Sequence, residues 1–176
     1  MPAPPAMRQR PARKAAPPLP LFESLDLAHR QVLEVLKDLD GLLEHVGDKG
    51  PDETARDSAK RILAFFSGPA RQHHADEERL VFPGLLKSGN EELVQNVQRL
   101  QQDHGWLEED WIELSLQVQA IADGYNWYDL DLLRHAVPVF TTLYQDHIAL
   151  EEGLVYPAAR RHAQALRDGV KQRSGD

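Results

Sequence analysis

No cysteine occurs among the 176 residues, which excludes disulfides, thiolate zinc sites, iron-sulfur clusters and cysteine nucleophiles. Any metal must be held by nitrogen and oxygen. The lack of disulfides fits a reducing compartment, and with no export signal at the start the expected location is cytoplasmic. Long apolar runs are also missing: none approaches the roughly 18 residues that a membrane-spanning helix requires, so no membrane partner is expected. Aromatic residues are few, at 7%. The first twenty residues, MPAPPAMRQRPARKAAPPLP, lack acids altogether and carry seven prolines with Arg8, Arg10, Arg13 and Lys14. That composition predicts a disordered basic tail over 1–20. With its charge set aside, the net −8 of the chain becomes −12 on the remainder, which repels nucleic acid and anionic membranes. The 41% of hydrophobic residues are enough to bury one core, so a single domain is expected.

From residue 21 onward, apolar residues recur at steps of three and four, the pattern of helix faces turned to a common core. One run is Leu25, His29, Val32, Leu36, Leu39, Leu43 and Val46, ending near Gly47. A second, between about Asp52 and Lys87, reads Ile62, Phe66, Pro69, His73, Glu77 and Leu80, with a kink or break expected at Gly68-Pro69. The third is Leu93, Val97, Leu100, His104, Leu107, Trp111, Leu114, Val118 and Ile121, opened by Asn90 as a cap. The fourth is Leu133, Val137, Phe140, Tyr144, His147, Glu151, Leu154 and Ala158, starting near Asp129 or Asp131, with a second possible kink at Pro138. Short connections between long helices make neighbours antiparallel, so the predicted fold is all-α, an up-down-up-down four-helix bundle over 21–162. A polar C-terminal tail is expected over 163–176. Counting from the turns places His29, His73, His104 and His147 within about one helical turn of a common level.

The polar interruptions of the seams repeat. His73-His-Ala-Asp-Glu77-Glu-Arg-Leu-Val-Phe-Pro83 parallels His147-Ile-Ala-Leu-Glu151-Glu-Gly-Leu-Val-Tyr-Pro157, and His29 and His104 precede these segments at nearly the same offset. A histidine and a glutamate four residues apart share a helix face. Two such helices and the two lone histidines make a box of four imidazoles and two carboxylates. Carboxylates can bridge two cations while imidazoles terminate them, a donor set suited to iron, manganese or zinc. The plainer alternative is a pair of His-Glu hydrogen bonds in the core. That accounts for His73 with Glu77 and His147 with Glu151, but gives His29 and His104 no reason to share their layer. Buried ionised carboxylates are costly unless paired or coordinated, so a metal site is the reading adopted. Among the other histidines, His74 points about 100° away from His73 and reads as a surface residue, with the orienting of a ligand as the alternative. His45, His135 and His162 lie off the seams, and Tyr144 reads as core packing.

At these residues the chain resembles the hemerythrin-like family, proteins with HHE cation-binding domains, from about Leu21 to His162. The resemblance implies a non-heme centre of two iron ions held by His29, His73, Glu77, His104, His147 and Glu151. It further implies a partner that is a small diatomic (dioxygen or nitric oxide) or peroxide, bound or sensed at the centre. Alternatives are a di-iron enzyme that consumes peroxide or oxidises iron, and a structural or regulatory metal domain. Oxygen carriers of the family have a further histidine where this chain has Glu108. A carboxylate there would favour oxidised iron over reversible oxygen binding. The amino-terminal cysteine segment of members concerned with iron-sulfur repair is missing. The Glu-x-x-His pattern of ferritin-like bundles does not occur either.

Overall fold

The computed structural model describes residues 20–173; the basic tail expected over 1–20 lies, Pro20 apart, outside the described residues. Four helical rods form the molecule. The first is α1 (Leu21–Lys49). The second comprises α2 (Glu53–Phe65), a π-turn at Phe66–Ala70, α3 (Arg71–Leu80) and the short α4 (Phe82–Leu86). The third is α5 (Glu91–Ala122), and the fourth joins α6 (Leu130–Leu150), a π-turn at Glu151–Val155 and α7 (Tyr156–Arg173). Three of the four rods start on a capping side chain. Asp52, Asn90 and Asp129 accept from the backbone N–H of Ala55, Leu93 and Leu132 at 2.9, 3.0 and 2.9 Å, satisfying donors that have no partner within the helix. Gly50 and Gly124 take φ of 73° and 77° at the two lower turns, a conformation that glycine adopts without the cost of a Cβ.

α1 packs on α2, α2 on α5, α5 on α6, and α6 back on α1, so the rods close into a square of antiparallel neighbours. The chain is all-helical among the described residues and forms the expected four-helix bundle. α7 continues past His162 to Arg173, so the segment expected as a polar tail is helical up to that residue. Pro138 does not break α6, which runs unbroken from Leu130 to Leu150.

The seams differ from the sequence reading where the backbone leaves the α-helical repeat. A π-turn adds one residue to a turn and rotates everything after it. At Phe66–Ala70, where Pro69 has no N–H to give to the ladder, the inward residue is Ala70 rather than Pro69. The turn at Glu151–Val155 likewise replaces Leu154 and Ala158 by Val155 and Ala159 on the buried face and brings Tyr156 inside. Leu80 is 50% exposed, because the chain bends at Val81, and Val81 and Phe82 are buried instead. In α1 both leucines suit the spacing; Leu42 faces the core and Leu43 is packed at its edge.

The apolar interior is divided in two. A long lower core includes Leu36, Leu39, Phe66, Leu114, Val137 and Phe140. A shorter upper one comprises Leu25, Val81, Phe82, Leu85, Leu93, Val97, Leu100, Val155, Tyr156 and Ala159. Between them lies a layer of buried polar side chains.

Candidate metal centre

The six residues singled out by spacing all belong to that layer. His29 and His104 come from α1 and α5, His73 and Glu77 from α3, and His147 and Glu151 from the end of α6 and the first position of the π-turn. The histidines are between 0 and 6% exposed and both glutamates are at 0%. No solvent reaches these carboxylates.

Their oxygens are divided between the two ends of the layer. Glu77 Oε1 lies 3.5 Å from His73 Nε2 and 3.9 Å from His29 Nε2, while its Oε2 lies 3.4 Å from His104 Nε2. Glu151 turns Oε2 to His29 Nε2 at 3.1 Å and Oε1 to His147 Nε2 at 3.4 Å. Each carboxylate thus offers one oxygen to each pair of histidines. Two sets of four donors result, His29/His73/Glu77/Glu151 and Glu77/His104/His147/Glu151, each with ligand atoms within 4.8 Å of one another.

Hydrogen bonding does not account for this arrangement. Glu77 Oε2, both oxygens of Glu151, His104 Nε2 and His147 Nε2 are buried without a hydrogen-bond partner. Leaving such atoms dry and unpaired costs about 1–3 kcal/mol each, more when charged. Two core His-Glu pairs would satisfy these atoms; the structure leaves them aimed at one another's common space. Four imidazole nitrogens and four carboxylate oxygens suit a pair of divalent cations in charge and in donor type. The residues therefore fit the group that the resemblance implies.

Electrostatics point the same way. Burial pushes the His73 imidazole down to about 4 and, together with neighbouring imidazoles, lowers His147 and, further still, His74. Neutral imidazole is the form that binds metal. Burial and the charge of Glu77 hold Glu151 well above the usual carboxylate range. Burial opposes ionisation of Glu77 as well, but the facing His104 and His73 imidazoles, the Glu151 carboxyl beside it and the Tyr156 hydroxyl outweigh it and hold Glu77 low.

Several residues that shape the box were not singled out by spacing. Glu78 accepts from His104 Nδ1 at 2.8 Å and Glu152 from His29 Nδ1 at 3.0 Å. A carboxylate accepts only, so Nδ1 carries the hydrogen and Nε2 faces the box with its lone pair free. The doubled Glu77-Glu78 and Glu151-Glu152 in the repeat were the visible signal. In each pair the first glutamate enters the box and the second orients a histidine from the other half. Asp103, buried, has Oδ2 at 3.7 Å from His147 Nδ1. Tyr156 stacks on His29 with ring centroids 5.1 Å apart, brings its hydroxyl to 3.1 Å from His29 Nε2, and donates to Glu77 Oε1. Phe82, at the equivalent place in the repeat, stacks on His104 at 5.7 Å with no hydroxyl to offer.

His74 corrects the surface assignment. It stacks on His104 with centroids 4.1 Å apart, and a nitrogen of it lies within 4.8 Å of those of His104 and His147. Glu108, in contrast, is bound by Arg71, whose Nε donates to Oε2 at 2.8 Å and whose second nitrogen donates to Oε1. Its charge is taken up in that pair, so the reason for expecting irreversible oxidation no longer applies. Tyr144 packs against Phe66, Phe140 and His74. The other histidines have separate surroundings: His45 bonds Asp52, His135 bonds the Asp131 carbonyl, and His162 lies against Gly84.

Comparison with known proteins agrees with this geometry. The hemerythrin HHE cation binding domain matches residues 21–159. An uncharacterized protein of Haemophilus influenzae is 30% identical over 133 residues, covering 76% of this chain and 75% of the relative.

Proposed function

Because the chain belongs to the hemerythrin HHE cation-binding family, we propose that it holds two iron ions, to both of which Glu77 and Glu151 would offer an oxygen, and uses them to bind or sense a small diatomic or peroxide. The observation that carries this reading is the division of the two carboxylates between two histidine pairs, with their oxygens buried and unpartnered. His29 and His73 would terminate one ion, His104 and His147 the other. Two iron ions would supply redox activity and open coordination positions for such a ligand. The chain's own residues do the rest: Glu78 and Glu152 fix the tautomers, Tyr156 holds Glu77, and the two cores keep bulk water out. Manganese or zinc fits the same donors.

Enclosure favours a small ligand over a large substrate. The apolar groove of about 530 Å³ between α5 and α6 is lined by Asp110, Leu114, Leu132 and Val139 among others and touches none of the six box residues. A surface depression of about 380 Å³ ends at Glu152 and Tyr156, beside the His29 edge. Neither brings a bulky substrate against the box. Protein loaded with ferrous iron under anaerobic conditions should change its absorbance on exposure to dioxygen, nitric oxide or peroxide. A spectrum unmoved by all three would sink ligand binding and leave a structural metal domain.

A further inference from the structure

Between α5 and α6, towards the lower end of the bundle, the groove of about 530 Å³ is lined by Leu114, Ala136, Leu132 and Val139, the last two 44 and 63% exposed. Its remaining lining is acidic, with Asp110, Glu113, Asp129 and Asp131 and neither lysine nor arginine. Asp129 is engaged as the cap of α6, and Asp131 meets the exposed Arg134 at 3.4 Å. Asp110 and Glu113 have no cation at ion-pair distance among the described residues. Burial and the charges of Glu113 and Glu109 raise the Asp110 carboxyl above its ordinary range. An apolar trough edged by carboxylates that nothing neutralises suits an occupant that is both apolar and cationic.

The chain itself contains such a segment. Residues 8–14, Arg-Gln-Arg-Pro-Ala-Arg-Lys, carry four cations and no acid within a stretch rich in proline and alanine. That stretch joins the bundle at Leu21, the upper end of α1. Counted at 1.5 Å per residue down α1 to His29, across the polar layer to His147 and on down α6, the groove from Val139 to Leu132 lies about 24 to 35 Å below Leu21, with about 10 Å more to pass around α6. Extended proline-rich chain advances about 3.1 Å per residue, so the part that reaches the groove from Pro20 lies between about residues 8 and 12. The charges arrive where the carboxylates are. The acidic depression between α1 and α6, lined by Asp40, Glu44 and Asp48, suits the segment less, because Arg134 already lies in it and Leu43 is the one large apolar residue of its lining.

We propose that the groove between α5 and α6 is the docking site of the chain's own segment 8–14, its cations set against Asp110, Glu113 and Asp131 and its Pro11 and Ala12 against Leu132 and Val139. The contact is intramolecular and sensitive to salt, because charges near the surface are screened over about 3 Å at 1 M ionic strength. It is independent of the metal centre, since the groove touches none of the six box residues.

The test exploits the absence of native cysteine. A nitroxide is attached to Gln9→Cys in the full chain, whose leucine and valine methyls carry an isotopic label, and spectra are recorded in zinc-supplemented buffer with the nitroxide oxidised and then reduced. The methyls of Leu132 and Val139 should lose intensity several-fold to the oxidised nitroxide, and those of Leu43 should not. The intensity should return in 1 M salt and in the double variant Asp110→Lys, Glu113→Lys, while Asp40→Lys, Glu44→Lys should keep the loss. If the first double variant disturbs the fold, the salt titration of the parent decides. No loss at Leu132 and Val139, or a loss that salt leaves unchanged, would overturn the inference. A loss centred on Leu43 would overturn it too, by placing the segment in the other groove. Equal loss when the nitroxide and the isotopic label are on separate, mixed chains would give the groove to a second copy's segment and overturn the intramolecular contact.

Discussion

His73 serves its site by being dry. Burial takes its pKa from 6.5 to about 4, so the folded chain keeps this imidazole neutral in mild acid while an unfolded chain would protonate it. The sign follows: between pH 6.5 and about 4 the unfolded state binds more protons at this residue, and stability falls as pH falls. Metal-free parent should lose urea resistance relative to metal-free His73→Ala across that window, and parallel curves would contradict the assignment. With metal, His73→Ala and His147→Ala should each lower iron content, while His135→Ala and His162→Ala should not; equal loss in all four would mean the wrong histidines are in the box. Glu78→Gln and Glu152→Gln should keep the fold and weaken metal binding by about 10–100-fold, the usual cost of losing the partner that orients a ligand. Titration against a chelator of known affinity measures this. The six box residues were legible because a charged or imidazole side chain on an apolar seam is an anomaly that periodicity exposes. The repeat marks Glu78 and Glu152 as doubled glutamates but not what they do, and it does not mark His74, because adjacent positions on a helix point about 100° apart and only packing shows that a neighbouring helix meets them.

The bend at Val81 and the π-turn at Glu151–Val155 decide which residues follow the box, and the π-turn at Phe66–Ala70 sets the register ahead of it. From spacing, the seams of the second and fourth rods were expected to continue through Leu80, Leu154 and Ala158; the structure instead buries Val81, Val155, Tyr156 and Ala159. Pro69 gave a sign of the first turn. Nothing comparable marks the second, since an extra residue within one turn has no compositional signature when the flanking residues are apolar on either register. The caps at Asp52, Asn90 and Asp129 were readable because they act through their immediate neighbours. Deleting Gly153, which has open space around its Cα, would remove the extra residue and rotate α7 by about 100°. Val155 and Tyr156 would leave the upper core, each giving up about 1.5–3 kcal/mol of burial. The deletion variant should melt at lower temperature and hold iron poorly, measured by circular dichroism and metal analysis. Parental melting would mean that the turn is incidental.

Across the whole molecule, the polar layer separates two apolar cores and contributes little cohesion of its own without cations. Ions that bind the folded chain and not the unfolded one raise stability by mass action, about 2.7 kcal/mol at a free concentration a hundred times Kd. Stripping metal should therefore lower the melting temperature, and restoring iron should raise it again. The fold at this scale followed from four apolar seams and short connections, which leave few topologies open. The enclosure of the box did not, because it depends on how α4 and α7 pack together at the upper end. The most direct measurement is the stoichiometry of an anaerobic ferrous titration of the metal-free chain. Two irons per chain are expected, falling in Glu77→Ala, which removes oxygens from both four-donor sets. One iron or fewer per chain, or two in the parent and still two with unchanged affinity in Glu77→Ala, would contradict a centre bridged by the two glutamates.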